Sequence, residues 1–321
     1  MKNLPRIPIA HLPTPIEELP RLSEALGGPR LWVKRDDQTG LAFGGNKTRK
    51  LEYLAAEAQA QGALTLITAG AVQSNHCRQT AAAAAKLGFE CILVLAGDPS
   101  EASSANYLLD RLLGVEVLWA NWESRHDDLQ RAYERAVKDG REPYLVPYGG
   151  SSPTGAAAYA YAIEEMLAQD LDPDWIIFAS SSGGTHAGLV AGAHLCGYQG
   201  KVLGISIDEP EEILQARVAT IASDVTKLLG EPTTFSPESV LVNADYLGLG
   251  YGIPSYLEKE AIQVFARHEA LLLDPVYTGR VAGGMMDLIS KEYFSPDETV
   301  LFWHTGGTPA LFADKYRQFF A

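Results

Sequence analysis

The segment Gly40-Leu-Ala-Phe-Gly-Gly-Asn-Lys47-Thr48 presents a lysine on a glycine turn where a helix is expected to begin. The positive end of a helix dipole disfavours an ammonium there. The position therefore suits an amine of depressed pKa, the form that Schiff-base chemistry uses. The run nearly fits a nucleotide-binding P-loop, but Asn46 intrudes between Gly45 and Lys47, and no clear strand precedes it. Leu31 to Lys34 is the nearest apolar run, and Asp36 and Asp37 follow it. Spacing alone leaves an exposed surface lysine equally open.

A second segment, Ala69-Gly-Ala-Val-Gln-Ser-Asn-His-Cys-Arg78, places four polar side chains, Gln73 to His76, between an apolar strand and the start of a helix. Unpaired N–H groups at such a helix start make a carboxylate or phosphate site. Capping by Ser74 or Asn75 explains one of these residues but not the cluster. A third, Ser180-Ser-Ser-Gly-Gly-Thr-His-Ala-Gly188, joins a strand to a helix and could cradle a phosphate with hydroxyls and backbone N–H groups. A dinucleotide fingerprint is the rival, because Asp208 ends the next strand. Thr185 stands where that fingerprint needs a glycine, so a monophosphate suits the loop better. Tyr251 and Tyr277 lie among turn residues, where a packed aromatic is the plain reading. His304-Thr-Gly-Gly-Thr-Pro309 follows the strand Thr299 to Trp303; its hydroxyls could meet a heterocycle's nitrogen or cap the next helix. His304 itself reads equally as a core histidine. His268-Glu269 has no second histidine at helical spacing, no Cys/His cluster exists and no GxSxG elbow appears. Zinc and serine-hydrolase chemistry are therefore not expected, and no metal is called.

These segments need elements to position them, and the hydrophobic pattern supplies alternating strands and helices. Thr48 to Gln61 reads as an amphipathic helix, Ala63 to Thr68 as a strand and Asn75 to Leu87 as an Ala-rich helix. Cys91 to Ala96 and Val115 to Trp119 are strands, with helices around Ser103 to Leu113 and Glu123 to Lys138, and Tyr144 to Pro147 closes the series. Beyond the Gly- and Ser-rich stretch Tyr148 to Gly155, a second series runs through Trp175 to Ser180, a helix after Thr185, Val202 to Ile207 and Thr299 to His304. Continuous apolar strands separated by helices indicate parallel sheets covered on both faces, hence two α/β lobes with a cleft between them. Residues 1 to 47 look irregular or β-like and could join either lobe. No internal repeat is evident.

Composition narrows the partner. The chain has 321 residues, 46% of them hydrophobic, enough for a sizeable core in one large domain or two smaller ones. A formal net charge of −14 with scattered Lys and Arg repels nucleic acid and anionic membranes, so a small molecule is expected. Cys77, Cys91 and Cys196 form no pairing pattern, which suits a reducing compartment. With no signal-peptide stretch and no apolar run of spanning length, a cytoplasmic protein is expected.

Taken in order, Gly44-Gly-Asn-Lys-Thr-Arg-Lys-Leu-Glu-Tyr53, Gln73-Ser-Asn-His76, Asp274-Pro-Val-Tyr-Thr-Gly279 and His304-Thr-Gly-Gly307 resemble the family of D-cysteine desulfhydrases and 1-aminocyclopropane-1-carboxylate deaminases over nearly the whole chain. The resemblance implies the two-domain, tryptophan-synthase-β-like fold of type II pyridoxal-phosphate enzymes. Residues 1–50 with 155–321 would form a large cofactor-binding domain and 51–154 a small one, in a homodimer. It implies that Lys47 holds pyridoxal phosphate as a Schiff base. Lys50 and the loop Ser181, Ser182, Gly183, Gly184 and Thr185 would meet its phosphate, Asn75 its ring hydroxyl and Thr305 its ring nitrogen. Ser74, a catalytic candidate with Lys47, Tyr251 and Tyr277, would surround a small amino acid's carboxylate with Gln73, Asn75 and His76. The tyrosines would face the substrate side chain. Ring-opening deaminases of the family carry Glu and Leu where this chain has Thr278 and Thr305. A hydroxyl cannot keep the ring nitrogen protonated as a carboxylate does, and this favours prompt β-elimination of thiolate. L-cysteate sulfo-lyase is the next reading, with Arg78 or His76 as the added cation. The ring-opening deaminase and a non-catalytic binding protein follow, and a nicotinamide oxidoreductase comes last.

Overall fold

The computed structural model describes residues 1–99 and 104–320. Among the described residues ten strands make two sheets: β1 (Ile16–Glu18), β2 (Arg30–Lys34), β3 (Thr65–Ala71), β4 (Glu90–Ala96), β5 (Glu116–Ala120), β6 (Pro143–Leu145), β7 (Trp175–Ser180), β8 (Lys201–Ser206), β9 (Leu241–Asn243) and β10 (Thr299–Trp303). The larger sheet runs β1-β2-β10-β7-β8-β9 and the smaller β5-β4-β3-β6. Every pairing is parallel except β1 with β2.

Burial follows the two-residue period of a strand. In the larger sheet Ile177, Val300 and Phe302 point to one face, against Phe265, Val281 and Met285. Their neighbours Ile176, Phe178, Leu301 and Trp303 point to the other, against Tyr159 and Ile163. In the smaller sheet Leu66, Leu93 and Leu95 face Leu51, Leu54 and Ala81, while Ile67, Ala69, Ile92 and Val94 face Ala132 and Ala136. Both faces of each sheet are covered, which is why the strands read as unbroken apolar runs.

The chain order places the ligand site. β7, β8 and β9 step outward in one direction, and β10 returns to the other side of β7. In the smaller sheet β3, β4 and β5 step outward and β6 returns beside β3. Each sheet therefore has a switch point, where the loops leaving neighbouring carboxyl ends diverge and open a crevice. The loops at these ends begin at Ser181, His304, Val72 and Val146.

Several elements depart from the sequence reading. The opening residues include a helix, Pro20–Leu26, and both of their strands join the larger sheet. β3 begins two residues late and continues through Gly70 to Ala71, because β4 pairs with it along its whole length. Helices Glu211–Leu228, Tyr256–Glu269 and Thr278–Ser290 occupy a stretch that no periodicity had singled out. The helix expected around Ser103 to Leu113 is seen as Ala105–Leu112; Ser103 lies outside the described residues. No helix among the described residues is long and apolar enough to cross a membrane.

Candidate active site

The lysine turn is built by backbone conformation and anchored by buried charge. Gly44 has φ +63°, and a Cβ there would lie 2.2 Å from the Asp37 carbonyl oxygen, so only glycine serves. The helix Asn46–Ala60 then starts, two residues earlier than its sequence suggested, with Lys47 in its first turn. One turn on, the Arg49 guanidinium pairs with Asp36 and Glu165, each at 2.8 Å. Asp36 also accepts hydrogen bonds from the Tyr159 hydroxyl (2.5 Å) and the Trp303 indole (2.9 Å). The lysine helix is thereby fastened to the face of the larger sheet, and the Asp36 carboxyl is held below its ordinary pKa by Arg49 against the cost of burial.

Lys47 opens onto a cleft lined by Ser74, Asn75, His76, Tyr148, Gly149, Ser180 to Gly183, Thr185, Tyr277 and Thr305, among others. Apart from Tyr277, which precedes the helix Thr278–Ser290, these contributors come from the carboxyl ends of β3, β6, β7 and β10. The Lys47 amine has no hydrogen-bond partner among the described residues, and desolvation lowers its pKa to about 8. Next to it, Lys50 is fully buried, and desolvation first, then the Lys47 charge, pushes its pKa well down. A buried lysine pair without a carboxylate keeps its amines neutral or waits for an anion.

Across the cleft, the helix Gly184–Cys196 starts just after the Ser180 to Gly183 turn. Asn46, beside Lys47, donates its amide to Thr185 Oγ1 at 3.0 Å, tying the lysine turn to this loop. The Ser151 hydroxyl donates to Ser182 Oγ at 2.8 Å and accepts from Gly184 N at 3.1 Å, which shapes the loop from the interlobe crossing. On the third side, Ser74 caps the helix Asn75–Leu87 by accepting from Cys77 N, so its own proton stays available to an anion. His76 meets Thr68 Oγ1 at 2.9 Å and is kept neutral by desolvation, reinforced by the charges of Lys47 and Lys50. The hydroxyls of Tyr277 and Tyr251 lie 2.7 Å apart; burial raises both pKa values well above 10, so both rings carry their protons at neutral pH.

Not every residue singled out in the sequence reaches the cleft. Gln73 turns away: its amide donates to Ser104 O and accepts from Asn106 N, holding the start of the helix Ala105–Leu112. Lys50 lies behind the wall, donating to Gly149 O at 3.1 Å. Gly184 spends its N–H on Ser151, and Tyr251 stands behind Tyr277 with its ring edge-on to Trp122, centroids 6.2 Å apart. Arg78 is fully buried and pinned to Gly44 O and Asn106. Thr278 exchanges hydrogen bonds with Asp274. His304 is a buried histidine that accepts from Gly306 N and shapes the turn carrying Thr305. Sequence reasoning missed Asn46, Tyr148, Gly149 and His186 in the lining. The Tyr148-Gly-Gly run carries a signal, since it opens the Gly- and Ser-rich stretch between the two series of strands and helices. Among the described residues no group of three or more His, Cys, Asp or Glu could hold a metal ion.

An unpartnered amine of lowered pKa faces a hydroxyl-rich helix start, with a neutral amide and a proton-bearing tyrosine between them. This set suits a ligand with a carbonyl carbon at one end and a phosphate at the other. Residues 7–306 match the family of pyridoxal-phosphate dependent enzymes. A D-cysteine desulfhydrase of Yersinia enterocolitica is 42% identical, the match covering 98% of this chain and 97% of that one. One of Salmonella choleraesuis is 40% identical over the same shares. A solved homologue of ACC deaminase superposes with a TM-score of 0.90 at 36% identity, covering 98% of this chain and 96% of its own. A fungal L-serine ammonia-lyase from Rhizomucor miehei shares the fold, with a TM-score of 0.69 at 18% identity, covering 97% and 99%.

Proposed function

The chain belongs to the pyridoxal-phosphate dependent enzyme family and has its type II fold, and from that premise we propose a carbon–sulfur lyase that converts D-cysteine to pyruvate, hydrogen sulfide and ammonia. The reading leans on the curated likeness to D-cysteine desulfhydrases. One structural observation carries it: the desolvated, unpartnered Lys47 amine opposite the Ser180 to Thr185 turn. The residues fit the cofactor. Lys47 would hold its aldehyde carbon, and Ser181, Ser182, Gly183 and Thr185 its phosphate, with the buried Lys50 amine behind. Asn75 would meet its ring hydroxyl and Thr305 its ring nitrogen. When bound, pyridoxal phosphate supplies an electron sink that acidifies the substrate's Cα–H bond.

The chain's own groups do the rest. Lys47 Nζ, as the free base, takes the Cα proton. Ser74 Oγ, with its proton free, and the N–H groups opening the helix Asn75–Leu87 bind the substrate carboxylate. Tyr277, lining the cleft and backed by the Tyr251 hydroxyl, donates a proton to the departing sulfur. Thr278 is engaged with Asp274 and Thr305 is neutral, so neither supplies the carboxylate expected of the ring-opening reaction.

The sulfonate reading loses its cations. His76 is held neutral, and Arg78 lies behind the wall with Nη1 and Nη2 bonded to Asn106 and Gly44 O. A thiol needs no such cation, and this favours cysteine over cysteate. The range 51–154, which holds β3 to β6, is proposed as a small domain, and the molecule as a cytoplasmic homodimer; its three free cysteines suit a reducing compartment. The test is direct. Purified protein is expected to show the visible band of lysine-bound cofactor and to release sulfide and pyruvate from D-cysteine faster than sulfite from L-cysteate or ammonia from the cyclopropane amino acid. Lys47→Ala should lose both the band and turnover. A Lys47→Ala protein that kept them would sink the assignment, and faster release of sulfite would replace the substrate.

A further inference from the structure

Behind the cleft wall, a chain of donors and acceptors determines which way the Asn75 amide faces. An arginine can only donate. Arg78 Nη1 donates to Asn106 Oδ1 at 3.0 Å and Nη2 to Gly44 O at 2.7 Å. The Asn106 oxygen is therefore turned to Arg78, and its NH2 group faces the opposite way. Its two hydrogens reach Gln73 O and Asn75 Oδ1, each at 2.9 Å. The Asn106 backbone N–H adds a bond to Gln73 Oε1 at 2.9 Å. Arg78 and Asn106 are both fully buried, so water does not compete for these bonds. With its oxygen engaged, Asn75 is left with Nδ2, which has no partner among the described residues, on a side chain that lines the cleft. Gly307 makes room for it: a Cβ there would lie 2.9 Å from Asn75 Nδ2.

We propose that Arg78 and Asn106 are positioning residues that lock Asn75 as a hydrogen-bond donor toward the cleft, so that it recognises an acceptor oxygen on the ligand. An asparagine amide has nearly equal shapes in its two orientations, and only its partners choose between them. A hydroxyl partner could serve either orientation. A guanidinium at the head of the chain removes the choice, and the one relay also holds Gly44, in the turn before Lys47, and Gln73. The inference rests on the cofactor reading, in which the acceptor is the ring oxygen of pyridoxal phosphate.

Asn106→Asp separates this role from simple support. Aspartate keeps the acceptor for Arg78 but has no hydrogens for Asn75. Apoprotein would be titrated with pyridoxal phosphate and with its 3-deoxy analogue, which lacks the ring oxygen, and dissociation constants read from absorbance or dialysis. The wild type is expected to prefer pyridoxal phosphate by about tenfold, the worth of one hydrogen bond to an ionised oxygen. The variant should lose that preference while binding the analogue as the wild type does. Equal weakening for both compounds, or an undiminished preference, overturns the proposal. If Asn106→Asp does not fold, Asn75→Ala is titrated with the same pair; it must abolish the preference, and a retained preference overturns the proposal. A wild type that binds both compounds equally refutes the donor role alone, whereas one that binds neither refutes the cofactor reading together with it.

Discussion

The amine at the centre of the site should titrate far from an ordinary lysine. Desolvation brings Lys47 to about 8 from a usual 10.5. At pH 7.5 a group of pKa 8 is roughly one-quarter neutral, against about one part in a thousand for an ordinary lysine, a ratio on the order of 200. Apoprotein should therefore combine with pyridoxal, which lacks the phosphate and so reports the amine more than the anion site, at a rate that rises with pH to a plateau with a midpoint near 8. The direction follows from burial disfavouring the charged form: the reactive neutral amine appears as pH rises through 8. Borohydride trapping followed by peptide mapping would follow the modification at Lys47 specifically. Because desolvation is the cause found for Lys47, Lys50→Met should leave the midpoint in place. A midpoint near 10 in the native protein would refute the desolvation argument. A midpoint that climbed toward 10 only in Lys50→Met would show that the neighbouring charge, not burial, sets the value.

Tyr277→Phe should lower kcat for D-cysteine by about 10²-fold or more with little change in KM, the usual scale of a lost general acid. The loss should shrink for β-chloro-D-alanine, whose chloride leaves without a proton, and an equal loss with both substrates would refute the donor role. Arg49→Met should destabilise the protein by about 3–5 kcal/mol, because it leaves the Asp36 carboxylate buried without its cation. Denaturant unfolding would measure this, and a loss below about 1 kcal/mol would mean that Tyr159 and Trp303 suffice to hold Asp36.

What the sequence reveals about the site follows from how each group is positioned. Lys47, Ser74, Asn75 and the Ser181 to Thr185 loop are legible because each directly follows a strand or glycine turn and opens a helix, a local pattern that survives in one dimension. Gln73 was grouped with its neighbours because a polar run gives no hint of which member turns inward; the Asn106 backbone decides that, 33 residues away. Arg78, Asn106 and the Asp36 cluster carry no local sign, since their meaning lies in partners brought together by folding. The unread stretch beyond Asp208 divides the same way. Ser255 followed by Glu258 is a capping box that marks the start of the helix Tyr256–Glu269, and it was there to be found. The helix Thr278–Ser290 carries Gly279, Gly283 and Gly284, whose low helix propensity argues against it until packing requires them. A Cβ on Gly283 would stand 2.4 Å from Leu257 Cδ2, so the packing leaves no room for a methyl.

The site's dispersal through the chain has a single geometric origin. A parallel sheet offers its ligand crevice only where strand order reverses, and each sheet here reverses once: between β7 and β10 in the larger, between β3 and β6 in the smaller. The cleft draws on loops after all four of these strands, so the two crevices open onto a common space. Lys47 belongs to neither pair of loops. It comes from a helix that packs on the smaller sheet through Leu51 and Leu54 yet is bonded through Arg49 to Asp36 beneath the larger one. Carried on an element bonded to both, its amine is held opposite the Thr185 loop through the Asn46 hydrogen bond. The Arg49 and Asn46 contacts are thus what set the amine's place between the two crevices.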